Sequence, residues 1–467
     1  MEKFIIAINE AVNKFNSLES KPIRIVCHGD SDGLTSAAML VATLKRANKP
    51  FLLSVTKNLT DNYLKSLALE NYDYYIFADL GSGQVDSVKK FLVDKTIFIL
   101  DHHSTKDLEG IVHINPYLYG IDGDKEISGA GVTYLFCKTL NNENKDLAYL
   151  AVIGAIGETQ EKKGFLGINN EILKDAIESR KLEVKTGLRM FGIQTRPLHK
   201  ILQYSFDPYI PGVTGNEQSA IDFLNEIGIK LKDDDNEFRK LVNLTDEEMK
   251  KLITAIILRR IGSEENPDDI LGKIYSLIEE NEESPMKDAK EFSTLLNACA
   301  RLGKSSIGIG ACLGDHRLKE RALEILNEYN KEVAKALNWF YNSRNSGNII
   351  ESSGYVIVNA EDNVRDTMIG TLISMLSKSN VYNEGTVILG LAHSLDARET
   401  KVSIRVCAEN IFGLDLGEII LEISGIIGAR GGGHRDAAGA VIPVEKEMEF
   451  INNAKLILEK NCVKAVA

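Results

Sequence analysis

The chain has 467 residues, 44% of them hydrophobic, and a formal net charge of −12. That length exceeds one hydrophobic core and calls for two or three domains. The acidic balance excludes a protein that coats duplex nucleic acid through a general positive field, yet leaves room for a nuclease whose acidic ligands are neutralised by metal. Six cysteines, at 27, 137, 299, 312, 407 and 462, have apolar neighbours and no Cys-x-x-Cys spacing, which argues against a disulfide framework or a zinc ribbon. Met1 to Leu18 lacks a basic start followed by a long apolar run, and Leu147 to Gly157 is too short to span a bilayer, so a cytoplasmic protein without a membrane partner is expected.

Phe4, Ile5, Ile8, Val12 and Phe15 recur at helical spacing, as in an amphipathic helix packed on the first domain. Ile23 to Cys27 is apolar and β-branched, and Leu34 to Arg46 has helical periodicity, so His28-Gly29-Asp30-Ser31-Asp32-Gly33 falls in a strand-to-helix loop. His28, Asp30 and Asp32 occupy alternate positions, which in an extended segment project to one side, and Gly33 lets the backbone turn beneath them. Two further strand-like runs end in residues of metal-ligand type: Tyr74 to Ala78 in Asp79, and Thr96 to Leu100 in Asp101-His102-His103. Helical segments between these runs imply a parallel sheet, whose strand C-termini share one edge. His28, Asp30, Asp32, Asp79, Asp101, His102 and His103 are thereby expected at one site.

Another short strand, 111–115, ends in Asn115-Pro116, and Ser128-Gly129-Ala130-Gly131 opens a helix to about Leu140. Those small residues suit either a phosphate contact at free N–H groups or close helix–sheet packing. Leu147 to Gln160 reads as a buried helix delivering Glu158, and Ile172 to about Gly192 as a helix leaving the catalytic domain. From Asp207 to about Tyr341 the pattern is mostly helical. Gly303-Lys304-Ser305, just after Arg301, is no Walker A loop; either Gly303 closes a helix, or Arg301 and Lys304 face a nucleic-acid channel. Ser343 to Gly354, rich in Ser, Asn and Gly, reads as a linker, followed by strands at 355–358, 386–391 and 402–406. Gly431-Gly432-Gly433-His434 is expected to be neither strand nor helix, with backbone N–H groups open to a ligand.

The His-x-Asp-x-Asp-Gly loop, the isolated Asp79 and the Asp101-His102-His103 triplet resemble the DHH phosphoesterase family. Gly431 to His434 with Ala437-Ala438-Gly439 resembles its DHH-associated C-terminal domain, and Thr195-Arg196-Pro197, 207–212 and 297–303 resemble the archaeal RecJ-like exonucleases. The resemblance implies an α/β protein with three parts: a parallel-sheet DHH catalytic domain (1–190), a mostly helical insertion (191–345) and a smaller α/β C-terminal domain (346–467). It implies one metal on His28, Asp30 and Asp79 and a second on Asp32, Asp79, His102 and Glu158, the last in a position where the family usually has Asp. Mixed carboxylate and imidazole ligation favours Mn²⁺, with Mg²⁺ as the alternative. Asp30, Asp32, Asp79, Asp101, His102 and His103 are the expected catalytic set, with Asp101 orienting His102 or supporting its strand end and His103 contacting phosphate or a ligand carboxylate. Ser403, Arg405, Gly432, Gly433 and His434, with Arg301, are the expected substrate contacts.

The expected activity is metal-dependent release of mononucleotides from an end of single-stranded DNA or RNA, in replication, repair or RNA turnover. The alternatives are a phosphodiesterase for oligoribonucleotides or cyclic dinucleotides, and a weakly active replisome scaffold. Binding to the GINS replication complex follows from the subfamily resemblance alone.

Overall fold

Short β-branched and aromatic runs alternate with amphipathic helices through the first 180 residues, and they build a doubly wound α/β layer. The computed structural model describes residues 1–467 except 106–108, 163, 380, 396–397, 408–409, 411–412 and 464–467, and it leaves out the side chains of 430, 434 and 463. The chain divides into two compact units, 1–326 and 327–467. Among the described residues no helix is long and apolar enough to cross a membrane.

In the first unit, β1 (Ile23–His28), β2 (Phe51–Thr56), β3 (Tyr74–Ala78), β4 (Thr96–Leu100) and β5 (Val112–Ile114) form a sheet of order β2-β1-β3-β4-β5. Every pairing is parallel. Alternate strand residues face opposite layers. Ile23, Ile25 and Cys27 pack with α1 (Glu2–Asn16), α2 (Ser31–Arg46), α5 (Gly129–Leu140), α6 (Ala148–Gly157) and α7 (Gly167–Glu178). Val26, Phe77 and Ile99 pack on the other face with α3 (Asp61–Ala68) and α4 (Val85–Phe91). In α1, Phe4, Ile8, Val12 and Phe15 are buried, whereas Ile5 is exposed. β2 has no counterpart among the strands expected from sequence. It is a half-exposed edge strand, and it extends the sheet beside β1 with Thr56 opposite His28.

The helix expected over 172–192 ends at Glu178, and Leu182–Leu188 is instead a strand, β6, paired antiparallel with β7 (Leu271–Leu277). Its Leu-Glu-Val-Lys-Thr-Gly-Leu sequence alternates at a period of two, which a strand satisfies and a helix does not. Between them, α8 (Leu198–Gln203), α9 (Glu217–Glu226) and α10 (Asp246–Arg260) surround a separate small core. α11 (Ala289–Arg301) and α12 (Ser305–Cys312) join the main core against α2 and α6. The stretch 191–345 thus serves two cores, and α13 (His316–Ser343) ends it.

The second unit is a six-stranded sheet of order β12-β13-β11-β10-β9-β8, from β8 (Ile349–Ser352), β9 (Tyr355–Asn359), β10 (Val387–His393), β11 (Glu399–Val406), β12 (Arg430–His434) and β13 (Ala437–Pro443). α14 (Asp366–Ser377) packs on β10 and β11, while α15 (Leu416–Ile426) and α16 (Glu447–Val463) enclose the core containing Val402, Ile404 and Ala440. Two expectations fail here. The Ser/Asn/Gly-rich stretch 343–354 contains edge strand β8, and the three-glycine run is itself edge strand β12. A Cβ at Gly431 would lie 2.5 Å from Ile420 Cγ2, and one at Gly433 2.4 Å from Ala438 Cα. Close approach to α15 and β13 is what those glycines permit.

Candidate metal centre

β1 delivers His28 at its last position. Asp30 is then the N-cap of α2, with extended backbone (φ −148°) and Oδ1 accepting the Gly33 N–H at 3.0 Å. Asp32 therefore lies in the first helical turn, so the three side chains do not project from one extended segment as their spacing suggests. Gly33 is required by contact: a Cβ there would stand 2.3 Å from the His28 carbonyl oxygen.

Asp32 is fully buried and caps the neighbouring helix. Its Oδ2 accepts the Gly129 N–H at 2.8 Å and its Oδ1 the Ala130 N–H at 3.0 Å, while Ser128 Oγ accepts from Gly131. The α5 amides are thus occupied by protein acceptors, and of the two readings of the small residues close packing is the one observed. A Cβ at Gly129 would come within 2.4 Å of Asp79 Oδ1, and one at Gly154 in α6 within 2.3 Å of Asp32 Oδ1.

Asp79 leaves β3 in the left-handed region (φ +59°), a conformation uncommon without glycine. Its buried carboxylate points two ways, with Oδ2 3.4 Å from His28 Nδ1 and Oδ1 3.5 Å from His102 Nε2. Two sets of mutually close ligand atoms result, His28–Asp30–Asp79 and Asp79–His102–His103, with Asp79 common to both. Asp32 and Glu158 belong to neither set, although Asp32 Oδ2 is 3.8 Å from His102 Nε2. Glu158 forms the C-cap of α6.

The electrostatics favour a cation. His28 Nδ1, His102 Nε2 and both oxygens of Asp79 are buried without a hydrogen-bond partner, and His28 Nδ1 is 2.7 Å from Asp30 Oδ2 without hydrogen-bond alignment. Burial, reinforced by Asp32 and Asp30, raises Asp79 well above the carboxylate range. Burial likewise raises Asp32, and burial with Asp30 and Asp32 pushes Glu158 up to about 8. Burial opposes charge on His28, but Asp30 outweighs it and raises the imidazole to about 9. Oxygen and nitrogen donors that hold protons against one another lack positive charge, and divalent cations supply it. The donor set fits such ions.

Asp101 plays a different part. Its Oδ1 accepts from His102 N (2.8 Å), His103 N (3.3 Å) and His103 Nδ1 (2.7 Å), and its Oδ2 accepts from Ser82 N (2.9 Å). It therefore orients the ring of His103, whereas the His102 ring donates from Nδ1 to the Gly123 carbonyl at 2.7 Å and turns Nε2 to the acidic cluster. Burial disfavours the His103 cation, but Asp101 outweighs it and raises the group to about 10.

Three segments of the chain match known domains: the DHH family N-terminal domain over 22–155, the DHH-CID domain over 190–272 and the DHHA1 domain over 353–460. An uncharacterized protein of Methanocaldococcus jannaschii is 32% identical over 445 residues, 93% of each chain. The chain belongs to the DHH family. Among solved structures, CDC45 from Entamoeba histolytica is similar in fold (TM-score 0.68, 12% identity, 97% of this chain and 99% of that one). RecJ from Thermus thermophilus, crystallised with Mn²⁺, is also similar (TM-score 0.58, 15% identity, 97% of this chain); the DHH chain spans 55% of that protein's length.

In the DHHA1 segment, β11 faces β13 and β12 in register, so Ser403, Gly439 and Gly432 form one row and Arg405, Ala437 and His434 the next. Ser403 is buried near Gly370 of α14, and half-buried Arg405 donates from Nη1 to the Ile404 carbonyl at 2.7 Å. Gly433 pairs across the strands with Ala438. The side chain of His434 lies outside the described residues. Arg301 closes α11, where Gly303 (φ +70°) and the Lys304 N–H to the Cys299 carbonyl complete a Schellman end.

Sequence reasoning gives no role to several side chains beside this DHH site. Asn297 Oδ1 accepts the Ser31 N–H at 3.0 Å and so ties α11 to the loop carrying Asp30 and Asp32. Its only signal is membership of the Asn-Ala-Cys-Ala-Arg motif. Gln160 donates to the same Gly123 carbonyl as His102, and His113 and Asn115 both bond the hydroxyl of Ser82, whose N–H meets Asp101. Nothing local in sequence marks those three.

Proposed function

We propose that this protein is a divalent-metal-dependent phosphodiesterase that removes mononucleotides from an end of single-stranded DNA or RNA. The observation that carries the reading is Asp79, one buried carboxylate whose two oxygens face separate imidazoles in two ligand sets. Solved RecJ structures with this fold hold Mn²⁺ or Mg²⁺.

His28, Asp30 and Asp79 would hold one ion, and Asp32, Asp79, His102 and Glu158 the other. The amide bonds to Asp32 leave each carboxylate oxygen a further lone pair for this purpose. Bound as a pair, such ions acidify water and neutralise the phosphoryl oxygens. Asp101 accepts the Nδ1–H of His103 and favours its cation, in which Nε2–H is also present to donate to a phosphoryl oxygen. In the second unit, Ser403, Arg405 and the glycines 432 and 433 are assigned to the backbone phosphate, since a floor of Gly and Ala admits a phosphate to the strand surface. Within the first unit, Arg301 is assigned to a phosphate of the single-stranded substrate.

The test is digestion of single-stranded DNA and RNA, labelled at either end, with Mn²⁺, Mg²⁺ or EDTA, and with Asp79→Asn as control. Stepwise release that requires metal and is lost in the variant supports the proposal. Cleavage of dinucleotides with long strands intact would replace it with a small-nucleotide phosphodiesterase. Metal binding without any hydrolysis would replace it with a scaffold.

A further inference from the structure

Behind the ligand clusters lies a layer of polar side chains that touches no ligand oxygen of Asp79, yet converges on one ring. Ser82 starts the 3-10 turn after β3 and is 2% exposed. Its N–H donates to Asp101 Oδ2 at 2.9 Å, and its carbonyl accepts from Thr105 Oγ1 at 3.0 Å. Its hydroxyl meets two partners, Asn115 Nδ2 at 2.8 Å and His113 Nε2 at 2.9 Å. Asn115, fully buried at the end of β5, uses its second Nδ2 proton on the His103 carbonyl at 2.9 Å, and its Oδ1 accepts the Tyr117 N–H.

His103 is therefore held from two directions. Its ring is bound by Asp101, which the Ser82 backbone N–H meets, and its carbonyl is bound by Asn115, which also bonds the Ser82 hydroxyl. Joining strand ends needs no buried side-chain network, and taking a hydroxyl, an amide and an imidazole out of water is costly unless every bond is made. Here the bonds the hydroxyl and the amide make lead to His103.

We propose that Ser82, His113 and Asn115 are positioning residues for His103. Their side-chain bonds hold the His103 carbonyl directly and brace Ser82, whose backbone N–H meets Asp101, so that His103 Nε2 meets the phosphoryl group in one orientation. The inference rests on the phosphodiesterase reading for its kinetic consequence, and on geometry alone for the state of the ring.

Two measurements separate these. The first is kinetic, at saturating Mn²⁺ on a labelled single-stranded oligonucleotide. Ser82→Ala and His113→Ala are expected to lower kcat about tenfold with KM and Mn²⁺ affinity unchanged. His113→Gln, whose side-chain amide can either donate to or accept from Ser82, retains the wild-type rate. In a His103→Ala background, Ser82→Ala has no further effect on kcat, because the group it positions is gone. An equal further loss in that background would overturn the proposal in favour of a structural role. The second is proton NMR of the full chain, following the downfield His103 Nδ1–H resonance identified by its loss in His103→Ala. Its exchange with water should quicken in Ser82→Ala, because the bond that Asn115 makes to the His103 carbonyl loses its brace. An unchanged resonance would overturn the proposal whether or not the protein hydrolyses nucleic acid.

Discussion

Gly129→Ala probes the centre without altering any ligand. A Cβ at this position would lie 2.4 Å from Asp79 Oδ1, 2.8 Å from Asp79 Cβ and 2.9 Å from Cγ, whereas ordinary contact begins at 3.4 Å. The amide of residue 129 is held by Asp32 at 2.8 Å, so α5 cannot simply retreat. The Asp79 carboxylate must move by about 1 Å, away from one imidazole or the other. Overpacking of this kind costs about 1–3 kcal/mol of stability. Displacing the shared ligand should weaken Mn²⁺ binding by about 10- to 100-fold or more, the range found for changes that merely disturb ligands. Calorimetric titration with Mn²⁺ on folded protein measures this, with Gly83→Ala as control because nothing stands within 4 Å of that site. Wild-type affinity and turnover in Gly129→Ala would refute the close-packed arrangement of Asp79 against α5.

In EDTA, the protein should lose stability as pH rises from about 4.5 to about 10. Burial with Asp30 and Asp32 raises Glu158 to about 8, so the folded state holds a proton that the unfolded chain releases near its ordinary value, and the stability present at low pH is lost as pH rises toward 8. His28 and His103, raised to about 9 and 10, extend the loss upward from pH 6.5. Each kcal/mol corresponds to about 1.5 °C in the thermal midpoint for the unit 1–326, from an unfolding entropy of about 2.1 cal/mol/K per residue. Excess Mn²⁺ should flatten the profile, and a flat profile in EDTA would count against these shifts. Asn297→Ala removes the acceptor for Ser31 N–H and should cost about 1–3 kcal/mol, read by denaturant unfolding, together with weaker Mn²⁺ binding. Arg301→Ala should raise KM for single strands with little change in kcat; an unchanged KM would remove Arg301 from the substrate path.

The ligand residues are legible because a parallel sheet brings its strand ends to one edge, so three local motifs imply one site without long-range information. His28, Asp30, Asp79, His102 and His103 lie together for that reason. Local pattern fails where the deciding contact is remote. Nothing near residue 129 announces that its amide serves Asp32, and nothing near Asp101 says that the Gly123 carbonyl, far along the chain, takes the neighbouring imidazole instead. Edge strands escape for a related reason. β2 and β8 bury too little to show a strong apolar alternation, and β12 is built from glycines whose role is visible only with α15 and β13 beside them. β6 is the exception, since its period-two alternation is legible locally although its antiparallel partner β7 is remote in sequence.

The first turn of α5 begins on a carboxylate that also belongs to the acidic cluster. Assembly of the cluster and nucleation of that helix are consequently one event, and an engineered gain in the helix's own stability would be felt by whatever the cluster binds. The amides of Gly129 and Ala130 make this coupling observable: their rates of deuterium uptake report, from inside the fold, how firmly Asp32 is held.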